Sequence, residues 1–366
     1  MTLSRRKMIG LIGGGVVLAA GAGAGGFAAT RRPDAALVPW DAAGSYKDPR
    51  MAALSWAILA PNPHNRQPWL AQLVGDDEIL IWRDLSLNLP ETDPFDRQLT
   101  IGMGCFLEIL RQAAAQRGLA ADVTLFPDGE DGSVAHIRLT PGGLPDPLFA
   151  HVPVRHTNRN AYEDRQPATA ALLAEATSVV TAPDAVAALH KLTWEAMRIE
   201  MATPRTHMES VGLMRFGKQE IEANPDGITL GGPMLEALMK VGMLSREGQA
   251  DPSSGEYQQT LSMLKSSMDA TPAYAIVSTA GNSRTDQIEA GRRWVRLHLA
   301  ATGQGLAMQP VSQALQEYPE QADLYAQVHK QLASPGETVQ MLGRVGYAPP
   351  AEASPRWPLE SRIADA

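Results

Sequence analysis

Ten consecutive residues, Ala60-Pro61-Asn62-Pro63-His64-Asn65-Arg66-Gln67-Pro68-Trp69, gather more side-chain hydrogen-bonding capacity per residue than any other stretch of this chain. Pro61, Pro63 and Pro68 fix φ at their own positions and push Ala60, Asn62 and Gln67 out of the helical region, which predicts a stiff, extended loop. Asn62, Asn65 and Gln67 carry carboxamides, each with two donors and an acceptor. Such groups complement an imide edge, in which two carbonyl acceptors flank an N–H donor. A flavin ring presents that edge and is neutral when oxidised, so amides suit it better than charges. The other reading of these residues is a proline-rich surface turn that ends a helix, and composition alone does not separate the two.

A second stretch is Arg155-His156-Thr157-Asn158-Arg159-Asn160-Ala161-Tyr162. Two guanidinium forks four residues apart, with a hydroxyl between them, make a cradle for a phosphate. Exposed arginines on a loop are also common without any ligand. The histidines show no H-E-x-x-H pairing, so no metal held by protein side chains is expected. Cys105, the single cysteine, lies among Met103, Phe106 and Leu107 on a helical pattern. It has no partner for an internal disulfide and reads as core packing. No side chain is assigned as a catalytic acid, base or nucleophile, because a flavin would carry the chemistry itself.

The elements that must position these stretches follow from pattern. The 366 residues, 44% hydrophobic and 20% charged, suffice for two ordinary domains. A formal net charge of -8 without a basic run after the N-terminus argues against nucleic acid as a partner. Apolar spacing predicts a helix over 48–59, leading into the amide loop, then strands near 70–74 and 78–82 around Gly75-Asp76-Asp77. A long helix over 99–117 and strands near 123–126 and 134–139 come next. Residues 141–147 read as a linker rich in proline and glycine. Residues 168–268 are helical by pattern and rich in methionine, which suits an adaptable core or a lid. Asn224-Pro225-Asp226-Gly227 and Asp251-Pro252-Ser253-Ser254-Gly255 interrupt them. A strand over 273–278, a helix over 287–302 and a strand over 339–347 complete the pattern.

The late helix repeats the early one. Gly104 and Gly118 are spaced like Gly291 and Gly305, with Leu110, Ala113 and Ala114 aligned on Leu297, Ala300 and Ala301, and Leu119-Ala120 on Leu306-Ala307. This implies one α+β unit used twice. A single-copy fold with a long insertion is the alternative.

The segment from Ala60 to Trp69 resembles the A-P-S-x-x-N-x-Q-P-W signature of the nitroreductase-like FMN-dependent superfamily, with Asn62 where the family has Ser. The His before Asn65 and the chain length are similar to its tandem-domain, Acg-like branch. The order R-H-[ST]-x-[KR]-x-[FY] is similar to the family's phosphate segment. The resemblance implies an α+β, nitroreductase-like fold in two fused halves, a pseudo-dimer with one FMN site. It places Pro61, Asn62, His64, Asn65 and Gln67 on one side of FMN, and Arg155, Thr157 and Arg159 at the phosphate. Gly305-Leu306-Ala307-Met308-Gln309-Pro310-Val311-Ser312-Gln313 resembles the strand-end loop that covers the ring, which implies contacts from Pro310, Val311, Ser312 and Gln313. Pro355-Arg356-Trp357-Pro358-Leu359-Glu360 resembles the terminal P-R-R-P-L-E, making Arg356 a third phosphate ligand, with Arg344 a fourth candidate. The expected organisation is a leader over 1–30, a first half over 40–140 and a second over 150–366 carrying the methionine-rich insertion as a lid.

Ser4-Arg5-Arg6-Lys7-Met8, followed by a weakly apolar run to Ala29, resembles a twin-arginine export leader. It implies the twin-arginine export machinery as a partner and a periplasmic or membrane-anchored protein facing away from the cytoplasm. The functional expectation is an FMN oxidoreductase that takes electrons from a small-molecule donor and gives them to a flat acceptor such as a nitroaromatic or quinone. Two other readings are an FMN storage protein with a lid and, in a third class, a flavin-consuming enzyme. Fusion removes the need for a homodimer without forbidding one.

Overall fold

A computed structural model describes residues 30–364, so the leader expected at the N-terminus lies outside the described residues. After α1 (Val38–Ala42), α2 (Pro49–Ala57) starts on Asp48, whose carboxylate accepts from the Arg50 N–H at 2.8 Å, with Pro49 in the first helical position where its missing N–H costs nothing. The hairpin falls where the turn signal put it, as β1 (Trp69–Val74) and β2 (Glu78–Arg83) in register Trp69↔Arg83 to Val74↔Glu78. Then come α3 (Arg97–Ala115), β3 (Leu119–Leu125) and β4 (Ala135–Pro141). These four strands form one antiparallel sheet in the order β1-β2-β4-β3.

A second antiparallel sheet begins with the short β5 (Ser178–Val180), which sequence reading missed because three residues show no period. An insertion follows: α4 (Pro183–Ala202), α5 (Pro204–Gly212), β6 (Met214–Phe216), α6 (Gly217–Ala223), β7 (Ile228–Leu230), α7 (Pro233–Lys240), α8 (Arg246–Ala250) and α9 (Gly255–Asp269). β6 and β7 pair in parallel as a separate ribbon. The sheet resumes with β8 (Ala273–Thr279), crosses α10 (Arg284–Gly303), returns through β9 (Ala307–Pro310) and α11 (Ala322–Leu332), and ends in β10 (Thr338–Gly346). Its order is β5-β8-β10-β9.

The two sheets share one wiring. In each, the first strand pairs with the second, a long helix joins the second to the third, and the fourth returns between the second and third. The difference is the connection from first to second strand. It is a tight turn in one sheet and the whole insertion in the other.

The long helices α3 and α10 pack against each other at the aligned glycines. A Cβ on Gly104 would lie 2.1 Å from the Ile288 carbonyl oxygen, and a Cβ on Gly291 would lie 2.0 Å from that of Ile101. Each glycine sits on the carbonyl three residues before the other, the reciprocity of a two-fold contact. Gly118 and Gly305, the other aligned pair, both have positive φ where the chain leaves its helix, at 71° and 67°. Cys105 is buried in this contact and its thiol donates to the Gly291 carbonyl at 3.1 Å.

One core spans both sheets. Ile79, Ile81 and Ile137 from the first, Ala275, Val277 and Val345 from the second, and Leu107, Leu110, Val295 and Leu299 from the helix pair are all buried in a single cluster. The alternate residues Tyr274 and Ile276 of β8 face the opposite way, into a second cluster with Val186, Leu189 and Leu192 of α4. β8 is therefore buried on both faces, as its nearly continuous apolar run requires. The methionines divide accordingly: Met197, Met201, Met214 and Met268 are buried, while Met208, Met234, Met243 and Met263 are exposed. No helix of the described residues is long and apolar enough to cross a membrane.

Candidate functional site

The amide loop is not the extended segment that its prolines suggested. Pro63–Asn65 forms a 3-10 turn, and His64, Asn65 and Gln67 all have positive φ, at 47°, 52° and 53°. Three non-glycine residues out of four in the left-handed region carry backbone strain, on the order of 1–3 kcal/mol each, which surrounding contacts must over-determine. The proline arguments act on φ of the prolines and ψ before them. They do not constrain His64 and Asn65, whose short polar side chains tolerate this region.

The three carboxamides supply much of that constraint. Asn62 Oδ1 accepts from the Gln67 N–H at 2.8 Å, and Asn62 Nδ2 donates to the Ala60 carbonyl at 3.1 Å. Gln67, fully buried, donates to the Pro225 carbonyl at 2.7 Å and accepts from the Trp357 N–H at 2.9 Å. Asn65 Nδ2 donates to the Pro355 carbonyl at 3.0 Å, and its oxygen accepts from Arg356. The expectation that these amides face a ring edge concerns a bound ligand. In this conformation they bind protein, and the loop offers His64 and the neighbouring backbone instead.

The arginine segment reaches the same place. Arg155 donates to the Leu59 carbonyl at 3.1 Å, and Arg356 donates to the carbonyls of Leu59 at 3.1 Å and Ala60 at 3.2 Å. Both are buried, so both brace the root of the amide loop, and both leave Nε without a partner. Burial pulls Arg155 down to about 10; burial and then the Arg155 charge pull Arg356 down to about 9.

Arg159 is placed differently. Its side chain is exposed, yet enough protein surrounds it for burial to lower its pKa. His64 has the same character: it is half-buried, and burial followed by the charges of Arg159 and Arg66 lowers it to about 4. Its imidazole is thus neutral at physiological pH, with Nδ1 unpartnered. The Arg159 charge is among the causes that lower His64, so the two distant segments lie close to one another there. Thr157 is half-buried between the two arginines of its segment.

Arg344 is fully buried on β10, 4.1 Å over the Tyr162 ring, and donates to the Asn160 carbonyl at 2.6 Å. Its Nε and Nη1 have no partner. Among the described residues, none of Arg155, Arg159, Arg344 and Arg356 forms an ion pair with a carboxylate, and no group of three His, Cys, Asp or Glu could hold a metal. A cluster of cations without acids suits an anion of high charge density.

Pro310 ends β9, the buried Val311 donates to the Leu342 carbonyl at 2.9 Å, and Ser312 and Gln313 open a 3-10 turn. The side chains of Gln313 and Gln316 turn toward Glu200, with Gln316 Nε2 at 2.6 Å from its carboxyl. Burial is the main reason that Glu200 is raised to about 7.

Sequence reasoning missed two neighbours of the loop. Asn224-Pro225-Asp226-Gly227 looked like a helix breaker; in fact Pro225 and Asp226 dock on the amide loop. The signal was an aspartate among prolines and glycines, too common to assign.

No protein-family model matches the chain. Two proteins of Mycobacterium tuberculosis, provisionally named NAD(P)H nitroreductases, are similar to it. One, from strain H37Rv, is 34% identical over 113 residues, 30% of this chain and 33% of that protein. The other, called acg, is 34% identical over 80 residues, 22% of this chain and 24% of that protein. The matched region therefore spans about a third or less of these relatives. Among solved structures, a nitroreductase-like family protein from Bacillus cereus is 11% identical, with 60% of this chain and 96% of that chain covered and a TM-score of 0.32. The FMN-dependent nitroreductase NfnB from Mycobacterium smegmatis, solved with NADPH, is 18% identical, with 58% and 94% covered and a TM-score of 0.35.

Proposed function

We propose that this protein binds FMN in the recess between the amide loop and the arginine segment, and works as a nitroreductase-like oxidoreductase. The observation that carries this reading is the convergence of Arg155, Arg159 and Arg356, all without acid partners, on the loop that holds His64. The local likeness to proteins named as NAD(P)H nitroreductases supports the same class.

The residues fit FMN better than riboflavin. Unpartnered Nε atoms of Arg155 and Arg356 and the acid-free guanidinium of Arg159 suit a phosphate that carries close to two negative charges. His64, neutral, offers a donor or acceptor without adding charge. Backbone N–H groups near Ser312 and Gln313 would complete the wall. FMN, when bound, would supply two-electron transfer from a reduced donor to a flat acceptor, and no side chain is required as acid or base.

The shared wiring of the two sheets and the reciprocal glycine contact support a fused pseudo-dimer, with halves over 40–140 and 150–366. A single FMN site follows, since the later half has no second Q-P-W loop. The leader further supports export by the twin-arginine route as a folded, loaded protein, to the periplasm or the outer face of the membrane. FMN storage is the second reading, favoured by the insertion lying across the amide loop. The test is the visible spectrum of the purified protein and its change on anaerobic addition of NADPH. Bleaching of the flavin bands supports a reductase, and a flavin that stays oxidised supports storage. A colourless protein that takes up no FMN sinks both.

A further inference from the structure

We infer that Asp226, on the insertion, is a positioning residue that holds the amide loop in its strained, ligand-ready shape; as a statement about FMN this rests on the reading above. The insertion has no counterpart in the first sheet, where a turn joins the equivalent strands. Its dipeptide Pro225-Asp226 nevertheless makes three hydrogen bonds to the loop, beside those of the C-terminal segment Pro355-Arg356-Trp357. The Asp226 carboxylate, 4% exposed, takes a charged hydrogen bond from Arg66 Nη1 through Oδ2, and two from Arg215 through Oδ1, at 2.6 Å and 3.1 Å. Arg66 Nε donates in turn to the Leu87 carbonyl at 3.1 Å. The Pro225 carbonyl accepts from Gln67 at 2.7 Å and Asn65 at 3.5 Å.

These contacts bracket the strained residues. Arg66 sits between Asn65 and Gln67, two of the three with positive φ, and next but one to His64. The loop's own residues tolerate that backbone without dictating it, so contacts from outside the loop help to select it. A buried carboxylate bonded to Arg66 does so through a charge-assisted contact stronger than a neutral hydrogen bond. Arg215 supplies the second cation that balances Asp226 and ties it to β6. The insertion is thus more than a cover: it sets where His64 points.

The experiment is amide hydrogen exchange on the protein without flavin, followed over peptides covering residues 60–68, together with FMN and riboflavin affinities by fluorescence quenching. Asp226→Asn keeps the volume and removes the charge. The expected result is exchange at least tenfold faster across the loop, unchanged exchange in β8, and FMN and riboflavin affinities that fall together by tenfold or more. Arg66→Lys, which keeps the charge but loses the fork, gives the same pattern and serves if Asp226→Asn does not accumulate. Wild-type exchange over 60–68 with unaltered affinity for both ligands would overturn the inference. Should the wild-type protein bind no flavin, the functional reading fails, while the exchange comparison still decides whether Asp226 shapes the loop.

Discussion

Gly104 and Gly291 approach so closely that each lacks room for a β-carbon, because the carbonyl of the partner helix occupies the place. Backbone oxygens cannot swing aside as a side-chain tip can. Gly104→Ala and Gly291→Ala should each force α3 and α10 apart, costing about 1–3 kcal/mol or more. Urea unfolding monitored by circular dichroism measures it. Because the contact is reciprocal, the double variant should cost less than the sum of the singles, the second methyl entering a gap the first has opened.

Arg159 is predicted to discriminate between flavins. Arg159→Ala should weaken FMN at least tenfold, in line with the roughly 1.5–3 kcal/mol of a charged hydrogen bond, and leave riboflavin affinity within about twofold. Titration of both ligands against the apoprotein checks it. Equal losses for the two would put the arginine beside the ring instead of the phosphate.

Much of this arrangement was readable beforehand. The hairpin at Gly75, the long helices and their glycine alignment came from period and spacing, because those elements are long and their signals local. The meeting of the amide loop with Arg155 and Arg356 came from family likeness, since nothing in either stretch names the other. The left-handed turn at His64 and Asn65 was not readable. It is held by distant contacts, among them Asp226, 160 residues from Arg66, and Arg356, and tertiary selection leaves no local trace. The protein partners of the carboxamides were unreadable for the same reason: in this conformation Gln67 bonds to distant backbone, and Asn62 to backbone across the loop.

Glu200 should make stability fall with rising pH. Its folded pKa of about 7 lies above the 4.5 of the free side chain, so its contribution is full below pH 4.5 and lost between about 4.5 and 7. His64 and His156, both lowered to about 4 from 6.5, act in the opposite sense and remove stability as pH falls through that window. The Glu200→Gln variant isolates the first effect. Its stability relative to wild type should increase from pH 5 to pH 8, measured as the difference in urea midpoints.

Arg296 sits among Glu108, Asp146 and Glu175, bonded to all three, with Asp146 at 2.5 Å and Glu175 at 2.8 Å. The buried Glu108 keeps Arg111 at 2.7 and 2.9 Å and Gln112 at 2.8 Å when the cation is deleted, so the loss falls mainly on Asp146 and Glu175. Arg296→Ala should cost about 1.5–3 kcal/mol, the range of a charged hydrogen bond. Arg296→Met, which keeps the aliphatic stem, should recover part of that loss, and chemical denaturation of the three proteins tests both statements.

Both long helices belong to one polypeptide, so their embrace cannot be undone by dilution. Two free chains meeting through such a pair would separate as concentration fell, and any ligand held between them would be shed in a concentration-dependent way. Here one covalent tether fixes the local concentration of each helix around the other. Under the proposed single site, occupancy at a fixed ligand concentration should stay constant as the protein is diluted.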